Sequence, residues 1–422
     1  MDIQKDTVSS KKATIGAWVL HHNQKLNAVR SRDFDNISLA GTAGRLLSVM
    51  SKEDGWDINS ERLNELARIN GIEKFALPGL VNELQKAGLV DPAQNGGVAV
   101  LGVTQSKLLS HTADLFTSQN PNKLEKAVIQ LAEIASLSPV ARQDCEEEIG
   151  DELKLSTAER DDLFSLSEHI GFVDFEDAKS DRLYFNGSLF SRDNAEKAKR
   201  VLEGLSPEEQ KQLMEADFLL SQKGCVPSET LKGLLGHVLW SKLHQIAYFE
   251  VSVVANENGA TEFVMKPASL AKFVPGGLAD MLHDAKALAS SLTYGIVKSS
   301  NVRGAIRDPK VLLDVFIKRG YVEGWAEALR EDYKILERRG VVTVTTSEKG
   351  HRLSLNKPEI AEMAKELILK GDATLSAVRV ADSTSAAQFY GPDHTRSAER
   401  LKDIPEAKSG ASKALSVLRK TR

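Results

Sequence analysis

One order of features recurs four times along this chain. Each time, stretches of helical periodicity end at or near a glycine or a β-prone residue, and an apolar run, a polar turn and a second β-prone run follow. A unit of this kind cannot bury its apolar face alone, so its repetition commits the chain to an array of small stacked units.

The first copy runs from about Ser38 to Phe116. Asn59 or Ser60 caps a helix carrying Leu63, Leu66 and Ile69 at helical spacing, and Leu77, Leu80, Val81 and Leu84 line a helix over 73–87. Gly88 stops that helix, and Gln94-Asn-Gly-Gly joins two β-prone runs as a tight hairpin. The second copy, 122–204, predicts helices over 123–137, 140–153 and 157–169. Ser156 and Glu159 form a capping box there, and a hairpin over 172–186 follows. The third opens at Ser206-Pro-Glu-Glu, continues with one helix from Ser228 to His244, and ends in a hairpin over 247–265 around Asn256-Glu-Asn-Gly. The fourth, about 307–370, starts at Asp308-Pro309, predicts one continuous helix from Gly324 to Arg339, and closes with a hairpin over 341–355.

Two or three helices followed by a β-hairpin is the order of a winged helix. The chain resembles four winged-helix units in tandem over about Ser38 to Lys370, at the level of the superfamily. The pattern carries the resemblance, with the recurring entries Gly88-Leu-Val, Gly171-Phe-Val and Gly340-Val-Val; the third copy departs, with Gln245-Ile-Ala at that point. The expected fold class is mainly α with short β-hairpins, in a tandem array of about four winged-helix-like units. The competing reading is an all-helical array with incidental hairpins. The expected divisions are an N-terminal extension over 1–37, units over 38–120, 121–205, 206–275 and 276–371, and a flexible basic tail over 372–422. In the extension the apolar piece Ile15 to Leu20 reads as a strand or a short helix.

Composition narrows the class further. With 55 basic and 59 acidic residues the net charge is −4, so any nucleic-acid surface is local. Two cysteines, Cys145 and Cys225, cannot build a disulfide framework or a four-thiolate zinc site, which suits a reducing compartment. No apolar run approaches the roughly 20 residues of a membrane helix, and the N-terminus lacks the blocks of a signal peptide. The expectation is a cytoplasmic protein with no membrane partner.

The parts of an enzyme are scarce. The sequence holds no phosphate-binding loop with its lysine, no dinucleotide fingerprint, no zincin helix, no paired CxxC and no lipase-type serine turn. His237 and His244 are seven apart, two turns along one helix, too far to ligate one metal unaided; His21 and His22 are adjacent and diverge. Asp144 with Glu152 and Lys154 echoes the carboxylate–lysine set of metal-dependent nucleases, but that set requires strands and this stretch reads as helix. No catalytic residue, metal or cofactor is expected.

Nucleic-acid binding needs cations on a groove-entering element and polar side chains that reach base edges. From Lys298 to Arg352 there are 12 basic and 8 acidic residues, net +4. Arg330, Lys334 and Arg338 fall at i, i+4 and i+8 on the expected helix, followed by Arg339, and Thr346, Lys349 and Arg352 lie on its hairpin. The bland alternative is a solvated face of acid–base pairs. In the first unit Lys74, Asn82, Gln85 and Lys86 dot the third helix. In the third, Lys232 and Lys242 flank Trp240, whose plainer role is a core anchor. The second unit argues against binding phosphate: Ala141 to Ser180 holds 4 basic and 13 acidic residues, net −9. That unit, or the tail with a basic amphipathic segment over Ser412–Arg422, suits a protein partner. Two functions stay open. One is a DNA-binding regulator, replication or partition factor, or recognition subunit of a bacterial or phage machine, with genome defence a possible setting. The other is a scaffold whose winged helices make protein contacts only, since the resemblance implies that the fold serves both.

Overall fold

Helix starts are set by short polar signals. Asn122 with Glu125, Ser156 with Glu159 and Ser206 with Glu209 form reciprocal capping boxes, while Asn59 and Asp308 accept from the backbone N–H groups of Arg62 and Val311. The computed structural model describes residues 2–378 apart from 32, 54–56, 105–106, 178–180, 275–278, 349 and 375, with side chains from Lys11 onward except at Ala279. The Ser412–Arg422 segment and most of the expected tail lie outside the described residues.

The first part contains α1 (Asp2–Val29), α2 (Asp35–Met50), β1 (Asp57–Ile58), α3 (Ser60–Ile69), α4 (Leu77–Lys86), β2 (Val90–Pro92), β3 (Val98–Val100) and α5 (Leu108–Ser118). The second contains α6 (Lys123–Leu137), β4 (Val140–Ala141), α7 (Arg142–Leu153), α8 (Thr157–Ile170), β5 (Asp174–Asp177) and β6 (Arg182–Phe185), with α9 (Ala195–Glu203) after it. The third contains α10 (Pro207–Lys223), β7 (Cys225–Pro227), α11 (Ser228–Gln245), β8 (Glu250–Asn256), β9 (Gly259–Met265) and α12 (Ala268–Ala271). The last contains α13 (Ala279–Val297), α14 (Pro309–Arg319), β10 (Tyr321–Gly324), α15 (Ala328–Glu331), α16 (Lys334–Arg338), β11 (Val342–Ser347), β12 (Gly350–Leu355) and α17 (Pro358–Lys370).

The protein is thus mainly helical, with short antiparallel hairpins where the turn residues place them. Each of the four sheets among the described residues has three strands in one order: β1-β3-β2, β4-β6-β5, β7-β9-β8 and β10-β12-β11. The first strand of each was not expected, and two of them displace expected helix starts at Val140 and Gly324.

A second recurrence lies in the backbone. Gly88, Gly171 and Gly340 adopt left-handed φ values of 66°, 82° and 68° between helix and hairpin. At each, the next residue donates its N–H back to the helix: Leu89 to Leu84 at 3.0 Å, Phe172 to Ser167 at 2.9 Å and Val341 to Leu336 at 2.9 Å. The third copy makes the same bond, Tyr248 to Leu243 at 3.1 Å, with Ala247 at φ 53° in the glycine's place. The sequence departs there and the backbone does not.

Among the described residues, three apolar cores hold the helices and sheets together. The first runs from α1 to β6 and includes Trp18, Leu46 and Phe164, so the first two units share one interior. α1 is a 28-residue helix rather than a short docking piece, and Ala17 to Leu20 are buried in that core. Gly16 permits this: a Cβ there would lie 1.9 Å from the Leu109 carbonyl oxygen, so α1 and α5 meet backbone to backbone. Trp18 donates to Glu133 at 2.7 Å, and Lys272 bonds the same carboxylate while covering the Trp18 and Phe273 rings. The second core joins α13, α14, α16 and α17 to Cys225, Phe263 and Met265 of the preceding unit; the third surrounds Leu239 and Trp240. Chain packing continues beyond the boundary expected at 372, since Ala373, Ala377 and Val378 are buried and Ala373 donates to Ser269 at 3.0 Å.

Candidate nucleic-acid interface

The fourth unit differs from the expected single helix over Gly324–Arg339. Tyr321–Gly324 is strand β10, and the helical part splits into α15 and α16 around Asp332. Asp332 is 5% exposed and accepts both terminal nitrogens of Arg303 at 2.6 Å and the Asn256 amide at 3.0 Å, while its carbonyl accepts from the Ser291 hydroxyl at 2.9 Å. This buried junction fixes the turn between the two short helices, so Arg330 does not share a continuous stripe with Lys334 and Arg338.

The cations of that face are mostly engaged. Arg330 pairs with Glu327 at 3.1 Å and Glu331 at 2.9 Å, and a hydrogen bond from Lys334 holds the Glu331 carboxyl below the usual carboxylate range. Arg339 bonds buried Asp284, also bound by Lys357 at 3.3 Å. Arg352 pairs with Glu323 at 2.8 Å across the sheet and lies over the Tyr321 ring. Thr346 and His351 share a hydrogen bond of 2.9 Å at the hairpin. Arg338 alone of the α15–α16 cations has no carboxylate partner among the described residues; Lys349 lies outside them. The charge excess is displaced too. Residues 298–319 hold six basic and two acidic residues, whereas 320–352 hold six of each. The whole +4 therefore sits on α14 and the segment leading into it, where Arg307, Lys310, Lys318 and Arg319 are exposed.

In the first unit Asn82, Gln85 and Lys86 are exposed on α4, and Lys74 is exposed just before it. Lys86 bonds Glu83 at 2.7 Å, and Gln119 donates to the other oxygen of Glu83 at 2.7 Å. The exposed strip of α4 thus carries no carboxylate. The tip of the β2–β3 hairpin exposes Gln94 and Asn95, and Asn95 braces it by accepting from the Gly97 N–H at 3.0 Å. Sequence patterning missed Phe75, which is 83% exposed. Its available signal was its place off the Leu77, Leu80 and Leu84 stripe.

The other two units have less to offer phosphates. α7 exposes Asp144, Glu147, Glu148, Asp151 and Glu152 along one stripe, and α8 adds Asp161 and Asp162. Asp144, Glu152 and Lys154 lie on α7 and its cap. In the third unit Gly236, at φ 70° and ψ 167°, breaks the helix expected from Ser228 to His244 into two. Trp240 is 8% exposed and anchors the third core, Lys232 pairs with Glu262 at 2.7 Å, and Lys242 pairs with Glu209 at 2.6 Å. The hairpin of this unit is occupied: besides the Asn256 bond to Asp332, Glu257 accepts from Arg303 at 2.8 Å.

Burial governs the remaining chemistry. His21 and His22 are buried, and desolvation pushes His22 down to about 3 as its ring stacks on Phe172 at 4.0 Å. Cys145 and Cys225 are free, and burial pushes their thiols up to about 12 and about 11. Among the described residues no three His, Cys, Asp or Glu side chains gather as a metal site, and no helix is long and apolar enough to cross a membrane. No protein-family model matches the sequence, and comparison with curated proteins gives no relative.

Proposed function

We propose that the protein is a non-enzymatic nucleic-acid-binding protein of the cytoplasm, built from tandem winged-helix units and directed at duplex DNA. It acts as a regulator or as the DNA-recognition subunit of a bacterial or phage assembly, in replication, partition or genome defence. One observation carries this reading. Four times, a helix, a short strand, two helices and a hairpin combine with the first strand bonded to the last. In helix-turn-helix proteins the second helix of such a pair enters the major groove. Here that position belongs to α4, α8, the second half of α11, and α16. The first and last present amides and cations, whereas α8 presents acids, so binding is divided unequally among the units.

A scaffold role is the second reading, and the docked third hairpin favours it, because that hairpin already serves a protein contact. Fluorescence anisotropy of the full chain with duplex DNA, single-stranded DNA and RNA across a salt series separates the two. The DNA reading expects duplex binding whose log affinity falls linearly with log salt, by roughly 0.9 per phosphate contact. Absence of salt-dependent binding to all three probes selects the scaffold. Protein partners then belong to the acidic second unit or the basic tail.

A further inference from the structure

Phe75 stands out on this surface. It is 83% exposed in the turn leading into α4, where burial would have favoured it. It has mixed company: Asn64, Arg68, Glu73 and Lys74 line an open groove of about 590 Å³ beside it, with Ala67 and Ile72 as its apolar part. Neither Arg68 nor Lys74 has a carboxylate partner among the described residues, and both are exposed. An exposed ring beside two cations that lack carboxylate partners suits a planar base with its phosphates.

Gly79 is a second, independent anomaly. Glycine inside a helix destabilises it relative to alanine. A Cβ at Gly79 would meet nothing within 4 Å, so nothing within the described protein requires its absence. Phe75, Pro78, Gly79, Asn82 and Lys86 follow helical spacing, and all are exposed. The turn before α4 keeps near-helical geometry, with Ala76 donating to Glu73 at 2.9 Å and Leu80 to Ala76 at 3.1 Å. The strip therefore runs from an aromatic ring, across a bare backbone, to an amide and a cation.

We propose that Phe75 and this strip form a site for an unpaired nucleobase at a junction in duplex DNA. The base stacks on the Phe75 ring, Arg68 and Lys74 take the adjoining phosphates, and the flanking duplex approaches the bare helix at Gly79. Asn82 and Gln85 then face base edges, where amides pair well with adenine. This inference rests on the nucleic-acid reading above and adds the kind of DNA that is bound.

The full chain is titrated with a forked duplex bearing 2-aminopurine at the first unpaired position, and with a blunt duplex of the same sequence. Phe75→Ala should weaken fork binding by about tenfold, the order expected for one lost stacking contact, with blunt-duplex affinity and thermal midpoint unchanged; Phe75→Trp should restore the fork preference. Gly79→Ala should raise the thermal midpoint, because helix propensity improves, yet weaken both probes. Variants that match the parent on the fork overturn the inference and leave duplex binding standing. Equal loss on both probes in Phe75→Ala also overturns it. A parent that binds neither probe removes this inference together with the reading beneath it.

Discussion

Asn36 and Glu125, 89 residues apart, meet through two hydrogen bonds: the Asn36 backbone N–H donates to one oxygen of Glu125 at 2.8 Å and its side-chain amide to the other at 2.7 Å. Glu125 also accepts from the backbone of Asn122 at 3.0 Å and is fully buried. One carboxylate therefore caps two helices, α2 and α6, and answers the positive ends of both. Glu125→Ala leaves those donors buried and unsatisfied, so it should cost about 3 kcal/mol in urea unfolding, and Glu125→Gln about half as much. A loss below about 0.5 kcal/mol would show that water replaces the carboxylate.

Ala247 occupies a left-handed position that glycine holds in the other three units. An alanine there is strained by roughly 1 kcal/mol. Ala247→Gly should raise stability by about 0.5–1 kcal/mol, less than the strain because glycine also loosens the unfolded chain. Gly88→Ala, Gly171→Ala and Gly340→Ala should each move the other way, as thermal melts of the four variants will read.

The buried histidines set an acid limit. His22 is neutral when folded, with a pKa of about 3, and returns to the ordinary value of 6.5 when unfolded. The unfolded chain therefore binds the extra proton between these values, and stability falls as pH drops from about 6.5 towards 3. Between pH 7.5 and 5 this one residue should remove about 2 kcal/mol. His22→Gln should flatten that part of the stability profile even if the variant is less stable at pH 7.5.

On the nucleic-acid reading, replacing Arg330, Lys334 and Arg338 together by Ala tests how free those cations are. Three independent phosphate contacts would flatten the salt slope by roughly 2.7. Because Arg330 and Lys334 already face Glu327 and Glu331, a change of about one unit is expected, carried by Arg338. Replacing Glu146, Glu147 and Glu148 should leave duplex affinity unchanged or slightly higher, read in the same titration.

Local chemistry made the hairpins legible. Gln94-Asn-Gly-Gly and Asn256-Glu-Asn-Gly mark reversals between β-prone runs, and the Ser156–Glu159 box marks a helix start, all from neighbours in sequence. The first strands of the sheets were not, because Val140–Ala141 or Asp57–Ile58 is too short to show a period and forms only when a distant strand arrives. The same holds for the candidate face. The split between α15 and α16 depends on Arg303 reaching Asp332 from 29 residues away, and the pairing of Arg339 with Asp284 spans 55. Charge counted along a sequence cannot see partners brought in by folding. Exposure has the same blindness, which is why the sequence pattern does not single out Phe75.

The Arg303–Asp332 contact also has a mechanical meaning. Pulling the third hairpin away would take Glu257 from Arg303 and Asn256 from an acid that is 5% exposed, and stripping a partner from a buried charge is costly. The last two repeats are therefore one stiff lever rather than two beads on a string. Whatever α16 touches, its orientation is inherited from the neighbouring repeat, and the protein has fewer moving parts than its fourfold pattern implies.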